Sequence, residues 1–405
     1  MPARFFLGLS RRLGALGVLL SIGGCYYLPP TIVPVNPDPA PAKIDGVVDI
    51  APNPQTIRIL FIHGIGEHDA CDPDTLLLHL TKALQVQQKQ PDQIDATANC
   101  ASHFAVPAPR AISAPGATSK ALMYSYEFQN PAAGRTVKFA FLRWSPLTDE
   151  IKKDDMPEPG LPHHALVADY AKSFEQNNLV DVVLYGGKYR EVIRPAIEQG
   201  LCYFVDGVPD RADPRLCDGG KGDVPTAIVT HSLGGYMLMD AMGDIYSRGA
   251  GRTAPISHSA AEKVGRYLDQ IFMLANQLKL LDLTTRTSEQ NPPALVHNFR
   301  AAWHGAHETQ ARTGQSMRRR QLIAVSDPND ILSWQVTTME FDRPEFTVAN
   351  VYLGTAGEFF GLYRAPIIPI AASPIDAHEN YLKDDDVMDI IACGMTGASI
   401  NRCGQ

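Results

Sequence analysis

The segment Ala227-Ile-Val-Thr-His-Ser-Leu-Gly-Gly235 decides the fold, because an apolar strand stops in it at Ser232 and small residues open the next element. A serine at such a turn has strained backbone dihedrals, and its hydroxyl projects above the sheet. Gly234 lets the following helix pass close to the strand. Thr230 stands where this turn usually has its first glycine. The pattern predicts a nucleophile elbow formed by His231, Ser232 and Gly234.

A second motif lies near the start of the folded region, where the apolar strand Thr56–Ile62 runs directly into His63 and Gly64. An acyl-transfer site needs backbone N–H groups aimed at the developing oxyanion, one from the residue after the nucleophile and one from a loop of this kind. We therefore expect Leu233 and Ile65 to supply these two N–H groups. The alternative is that His63 and Gly64 form a simple turn at the end of the strand.

A general base should follow a late strand of such a sheet, and His378 is the one histidine beyond residue 307. It comes after an apolar segment, residues 347–353, that reads as the last core strand. Position and uniqueness favour His378 as the base over an ordinary polar surface residue.

The acid that orients the base should lie after the preceding strand, Arg320–Ser326, where Asp327 and Asp330 compete for the role. Asp327 precedes a proline, which favours an extended, turn-starting conformation whose side chain bonds nearby backbone. Asp330 comes after the turn and can reach back across the top of the sheet. These positions favour Asp330 as the acid and leave Asp327 as the alternative.

The order Ser232, Asp330, His378, with the upstream His63-Gly64 loop, resembles the α/β-hydrolase superfamily, specifically its lipase and esterase-like serine hydrolases. The resemblance covers about residues 56 to 385. It implies an α/β fold whose mainly parallel central sheet is flanked by helices. It also implies that Ser232 attacks a carbonyl, that His378 acts as base and then acid, and that Asp330 sets the imidazole tautomer. No metal or organic cofactor is expected.

The expected activity is hydrolysis of carboxylic esters, with a small-molecule or lipid ester as substrate. Two alternatives stay open. The same triad could transfer the acyl group to an alcohol or amine, or the chain could be a non-catalytic binding lipoprotein that retains the fold. Fold and triad do not determine which acyl group is accepted.

The N-terminal region resembles a bacterial lipoprotein signal. Three arginines precede an apolar run, residues 13–22, that is too short to span a bilayer, and small residues lead to Cys25. This predicts a signal peptide at 1–24, acylation of Cys25 and stable membrane attachment at the cell envelope. Tyr26, which is not aspartate, suggests the periplasmic side of the outer membrane if the organism is Gram-negative.

Beyond the signal, proline is frequent in residues 25–55, which predicts an extended, semi-rigid tether before a catalytic domain at 56–405. Within that domain, residues 144–224 exceed what one strand-helix-strand step needs. We expect this insertion to cap the site, the alternative being an enlarged outer helical layer.

Six further cysteines remain in a chain that carries an export signal, so disulfides are expected. The sequential pairing closes three modest loops: Cys71 with Cys100, Cys202 with Cys217, and Cys393 with Cys403. The chain lacks the close cysteine pair of a zinc site, and its adjacent histidines lack matching carboxylate or thiolate partners, so no metal site is predicted.

The chain carries 36 basic and 44 acidic residues, a formal net charge of −8. Its predicted signal peptide contains arginines and no acidic residue, so the mature chain is more acidic still. This balance argues against a nucleic-acid partner and against electrostatic adhesion to anionic lipid.

Replacing Cys25 with serine removes the thiol that acylation needs. We therefore expect C25S to be absent from the membrane fraction and to incorporate no labelled palmitate. The wild-type chain should be found in the membrane fraction and should incorporate the label. Membrane attachment of C25S equal to that of the wild type would contradict the lipoprotein prediction.

Overall fold

A mixed sheet flanked by helices forms the centre of the protein. The computed structural model describes residues 30–33, 43–50, 55–155, 179–210, 213, 216–220, 224–249, 260–285, 294–312, 320–336, 346–355 and 374–403. The predicted signal peptide, Cys25 and most of the predicted tether lie outside these residues.

The strands, in chain order, are β1 (Thr31–Val33), β2 (Lys43–Ile44), β3 (Thr56–Ile62), β4 (Gln87–Gln88), β5 (Arg110–Ser113), β6 (Lys120–Asn130), β7 (Arg135–Arg143), β8 (Gly207–Pro209), β9 (Cys217–Gly219), β10 (Thr226–His231), β11 (Leu268–Leu274), β12 (Arg320–Ser326), β13 (Phe346–Tyr352), β14 (Met395–Thr396) and β15 (Ser399–Ile400).

The α-helices are α1 (Val47–Ile50), α2 (Asp74–Leu84), α3 (Pro146–Asp155), α4 (Val180–Gly186), α5 (Arg190–Phe204), α6 (Leu233–Gly249), α7 (Ala260–Arg266), α8 (Leu278–Thr285), α9 (Ala294–Arg312), α10 (Pro374–Glu379) and α11 (Asp385–Cys393). A single 3₁₀ turn, Asn380–Lys383, joins the last two helices.

The described part of the main sheet has the strand order β1-β13-β12-β11-β10-β3-β7-β6-β4, and β5 pairs with the start of β6 on the same edge as β4. The six strands from β13 to β7 in this order are all parallel to their neighbours. The strands outside them, β1, β4, β5 and β6, pair antiparallel. The expectation of a mainly parallel sheet therefore holds for its centre, whereas both margins are antiparallel.

Both faces of the central strands are buried. In β3, Leu60 and Ile62 pack into one apolar cluster, whereas Ile59 and Phe61 pack into the cluster on the opposite face. Successive side chains of a strand point to opposite faces, so a strand buried on both sides reads as a continuous apolar run. This is why a continuous apolar run in the sequence predicts the bounds of β3 and β12.

Each face of the sheet has its own helices. Residues of α5, α6, α7 and α9 belong to one cluster, and residues of α2 and α11 belong to the other. Of the predicted insertion, α5 packs beside α6 in the outer layer, and Gly200 lies so close to β7 that a Cβ there would be 2.7 Å from a methyl carbon of Leu142. Residues 156–178 of the insertion lie outside the described residues.

The three disulfides confirm the sequential pairing. Cys71 bonds Cys100, Cys202 bonds Cys217, and Cys393 bonds Cys403, with sequence separations of 29, 15 and 10 residues. Among the helices of the described ranges, none combines the length and the hydropathy needed to cross a bilayer.

Removal of the Cys202–Cys217 bond should destabilise the domain, because the bond joins α5 to β9 across a 15-residue separation. For a closed loop of that size the loss of free energy of unfolding should be about 3 kcal/mol. Urea unfolding of a C202A/C217A double variant measures it, with the wild type under non-reducing conditions as control. An unchanged unfolding free energy would contradict this prediction.

Candidate active site

Ser232 stands at the strand-to-helix turn that the sequence predicted, between β10 and α6. Its φ is +52°, a left-handed conformation that is rare for a residue with a side chain. Its N–H donates to the Leu274 carbonyl, 2.8 Å away, which holds the turn against β11. The strain at this residue is maintained by the surrounding backbone, as expected for a residue with a functional role.

Gly234 is required by packing. A Cβ at this position would lie 2.5 Å from the carbonyl oxygen of Ile62 and 2.6 Å from that of His63. Gly235 explains how Thr230 is accommodated, because a Cβ on Gly235 would lie 3.1 Å from the Thr230 hydroxyl. The space that the missing first glycine would have provided is therefore supplied by the additional glycine on the helix.

The three predicted polar residues meet in one chain of contacts. His378 Nε2 lies 2.9 Å from Ser232 Oγ, and His378 Nδ1 lies 3.0 Å from both carboxylate oxygens of Asp330. Ser232 and His378 are 146 residues apart in the sequence, and His378 and Asp330 are 48 residues apart. Ser232 is 1% exposed and His378 2%. The arrangement can pass a proton from the serine hydroxyl to an imidazole oriented by a carboxylate.

Asp327 makes different contacts. One of its oxygens accepts from the Asn329 N–H at 2.7 Å, and the other accepts from the N–H of Thr355 and lies 3.1 Å from the Thr355 hydroxyl. The bond from Asn329 is the local backbone bond expected for an aspartate before proline, whereas Thr355 is 28 residues away. Of the two competing carboxylates, the structure therefore brings Asp330 to His378, and Asp327 shapes the loop.

Tyr381 is a site residue that the sequence analysis missed. Its hydroxyl donates to Asp330 Oδ2 at 3.1 Å and accepts from the Asp327 N–H at 2.6 Å. Burial raises the pKa of this phenol well above its usual value, so it remains a donor. Asp330 also accepts from the Leu332 N–H at 2.9 Å. Tyr381 lies three residues after His378, and no local pattern connects it to the loop after β12.

His63 is fully buried at the end of β3 and stacks on Trp144, with ring centroids 4.9 Å apart. Its Nε2 accepts from the Trp144 N–H at 2.9 Å, and its Nδ1 donates to the Gly64 carbonyl at 2.9 Å. Since one nitrogen accepts and the other donates, the ring is neutral. Burial, and secondly the proximity of His68, lower its pKa well below the usual value. His63 therefore anchors the loop and does not face the serine.

His231 is also buried and neutral. Its Nε2 donates to the main-chain carbonyl of His378 at 3.0 Å. Burial, and secondly the nearby His378, lower the pKa of His231 well below its usual value. The residue before Ser232 thus holds α10, the short helix that carries His378 where the sequence predicted a loop.

The loop after β3 packs against the serine. A Cβ on Gly64 would lie 2.5 Å from the Cβ of Ser232, so only glycine fits. Ile65 follows and is almost fully buried, as is Leu233 at the start of α6. The N–H of the next residue, Gly66, donates to Asp181 at 2.8 Å, so it is already engaged, and the N–H of Ile65 stays the predicted donor of this loop.

Asp181 on α4 is a second residue that the sequence analysis missed. It is fully buried, and its carboxylate accepts from Thr148 at 2.9 Å and from Lys152 at 3.2 Å. Burial raises the pKa of this carboxyl, and Lys152 opposes that shift. Asp181 lies within the predicted insertion, where no local pattern marks it.

Metal-binding potential is limited to one group in the ranges given above, formed by Asp69, Cys71 and Cys100. The two cysteines are disulfide-bonded to each other, so they offer no thiolate. The adjacent histidines at 163 and 164, for which no metal site is predicted, lie outside the described residues.

No protein-family profile matches this chain, and a search of curated proteins returned no significant relative. The geometry of the site therefore carries the functional argument.

The neutral state of His63 should make stability depend on pH. Because the pKa of His63 is lower in the folded than in the unfolded chain, its contribution is present above the unfolded pKa and is lost as the pH falls. We expect the unfolding free energy of wild type to fall more than that of H63Q between pH 7.5 and pH 5, by up to about 2 kcal/mol.

Glutamine can accept from the Trp144 N–H but does not titrate, which makes H63Q the appropriate variant. H297Q, at an exposed histidine on α9, is the control and should follow the wild type. Urea unfolding at the two pH values measures the difference, and equal losses in wild type and H63Q would contradict the prediction.

Proposed function

We propose that this chain is a serine hydrolase of the α/β-hydrolase fold that cleaves carboxylic esters through an acyl-enzyme on Ser232. The observation that carries the proposal is the chain of contacts from Ser232 Oγ through both nitrogens of His378 to Asp330, with distances of 2.9 and 3.0 Å. A buried serine, histidine and aspartate in this arrangement are the components of an activated nucleophile.

The architecture supports the fold assignment. Ser232, Asp330 and His378 follow β10, β12 and β13 respectively, three parallel strands of one sheet, and the 63–66 loop follows the neighbouring strand β3. Ligands of open α/β sheets bind beyond the carboxyl ends of the strands, where these loops gather. The positive φ of Ser232 is the strained turn expected of the nucleophile elbow.

The chemistry follows from these positions. Ser232 Oγ attacks the ester carbonyl while His378 Nε2 takes the hydroxyl proton, and Asp330 stabilises the resulting imidazolium. The N–H groups of Leu233 and Ile65 would stabilise the negative charge on the tetrahedral oxygen. His378 then returns the proton to the leaving alcohol. Water attacks the acyl-serine in the second half, its proton passes to His378, and the acid is released with Ser232 restored.

Envelope attachment is part of the proposal. The signal-like segment 1–24 and Cys25 predict an exported lipoprotein, and three disulfides in the folded region suit an oxidising compartment. Within the predicted tether, however, β1 pairs with β13, and Val47 and Ile50 are buried in the core, so these residues belong to the folded domain.

Acyl transfer is the second candidate, favoured by the nearly complete burial of Ser232 and His378. A site that excludes water favours a bound alcohol or amine as acceptor over hydrolysis. A non-catalytic binding role is less well supported, since it has no need of the contact between Ser232 and His378.

Labelling by a fluorophosphonate probe tests the proposal. The signal-less wild type should label, and S232A and H378A should not, because the first lacks the nucleophile and the second the base. Circular dichroism controls for folding of each variant. A folded wild type that does not label would contradict the proposal and favour the binding role.

A second experiment tests the assignment of Asp330 as the acid that orients His378. D330N should lower kcat for p-nitrophenyl butyrate by about 10⁴-fold, because an amide favours the wrong imidazole tautomer. D327N is the matched control and should retain far more activity, since its side chain contacts Thr355 and Asn329 instead of His378. Equal losses in the two variants would contradict the assignment of Asp330.

A further inference from the structure

The peptide between Ile65 and Gly66 is held at both ends. Its carbonyl, that of Ile65, accepts from His68 Nε2 at 3.2 Å. Its N–H, that of Gly66, donates to Asp181 Oδ2 at 2.8 Å. Because the carbonyl and the N–H of a trans peptide point in opposite directions, these two bonds together fix the orientation of the peptide plane.

This peptide needs such restraint because of the glycine that follows it. Gly66 has φ +95°. A glycine at the third position of a type II turn has a positive φ, and rotation of the peptide before it converts the turn to type I. Glycine tolerates both conformations, so the local sequence leaves this rotation open. The bonds to His68 and Asp181 exist only in the orientation that the structure shows.

The neighbouring peptide carries the N–H of Ile65, the proposed oxyanion donor. On its other side, Gly64 packs against Ser232 with no room for a Cβ. The Ile65 N–H is therefore held from one side by this packing and from the other by the fixed 65–66 peptide. A donor must lie within about 2.7–3.1 Å of the oxyanion to act, so a small displacement matters.

The two side chains that hold the peptide are themselves restrained. Asp181 is fully buried and paired with Lys152, and Thr148 bonds its second oxygen. His68 contacts the Asp72 carboxylate through Nδ1, which turns Nε2 towards Ile65. Holding a buried carboxylate beside a buried lysine is costly unless the pair is fully bonded. This arrangement gives the loop a rigid attachment to α3 and α4.

We propose that Asp181 and His68 are positioning residues, which clamp the Ile65–Gly66 peptide so that the Ile65 N–H can stabilise the oxyanion. This rests on the proposed acyl-transfer chemistry at Ser232. Neither residue touches the reacting atoms. Asp181 thereby links the segment between β7 and β10 to catalysis.

The test compares D181A, D181N and H68A with D149N as matched control. Asp149 contacts the same lysine, Lys152, at 3.6 Å. We expect D181A and H68A to lower kcat for p-nitrophenyl butyrate by about 10- to 100-fold, with KM within about twofold, since the lost positioning acts on the transition state. D181N retains an oxygen that can accept from Gly66 and should recover most of the activity.

Two further readouts separate positioning from general stability. Phenylboronic acid forms a tetrahedral adduct with an active serine and mimics the intermediate, so its Ki should rise in D181A and H68A by the factor lost in kcat. The acidic limb of the kcat/KM profile, which reports the base, should stay where it is in the wild type. D149N should match the wild type in both readouts.

The outcomes are distinct. A folded D181A or H68A with wild-type kcat and boronate Ki overturns the clamp, even if its melting temperature falls. If D181A does not fold, H68A, at a partly exposed residue, decides alone by the same criterion. A wild type that neither hydrolyses the ester nor labels with fluorophosphonate shows instead that the proposed function has failed.

Discussion

The close approach of α6 to the end of β3 is the constraint on which the candidate site depends. The Gly234 backbone meets the carbonyls of Ile62 and His63 with no space for a side chain, and Ser232 adopts a positive φ in the same turn. As a result, Ser232, the first turn of α6 and the loop after β3 lie together. Any larger residue at Gly234 would have to separate them.

The two buried histidines beside this turn act as uncharged supports. His63 anchors the loop after β3, and His231 donates to the carbonyl of His378. The ring centroids of His231 and His378 are 5.4 Å apart. In the proposed acyl transfer, His378 would become positively charged. A neutral His231 spares that imidazolium the repulsion of a second positive charge in a poorly solvated site.

Two carboxylates three residues apart have separate tasks because their surroundings differ. Asp327 accepts hydrogen bonds from the backbone around it. Asp330 accepts from the Leu332 N–H and the Tyr381 hydroxyl and contacts His378 Nδ1. Tyr381 connects both, since it also accepts from the Asp327 N–H. The loop after β12, the Tyr381 hydroxyl and the contact between Asp330 and His378 therefore form one hydrogen-bonded unit.

Local sequence determined the strands, the elbow and the order of the polar loops. The doubly buried strands β3 and β12 are continuous apolar runs, and Ser232 and the His63-Gly64 pair are marked by short motifs whose conformations are set within a few residues. The antiparallel strand β6 is not predicted by the sequence, although from Tyr124 to Phe128 buried aromatic residues alternate with the less buried Ser125 and Glu127.

Only the tertiary structure decided which carboxylate meets His378, and it alone brought in Tyr381 and Asp181. The bond from Asp181 to Gly66 spans 115 residues and that from Tyr381 to Asp330 spans 51, distances over which no periodicity or motif carries information. Such contacts depend on how separate elements stack on the sheet. Backbone conformational preference depends on residues that are neighbours in sequence. Hydrogen bonds between buried polar groups depend instead on which donors and acceptors the packing removes from water, because those groups must then bond each other.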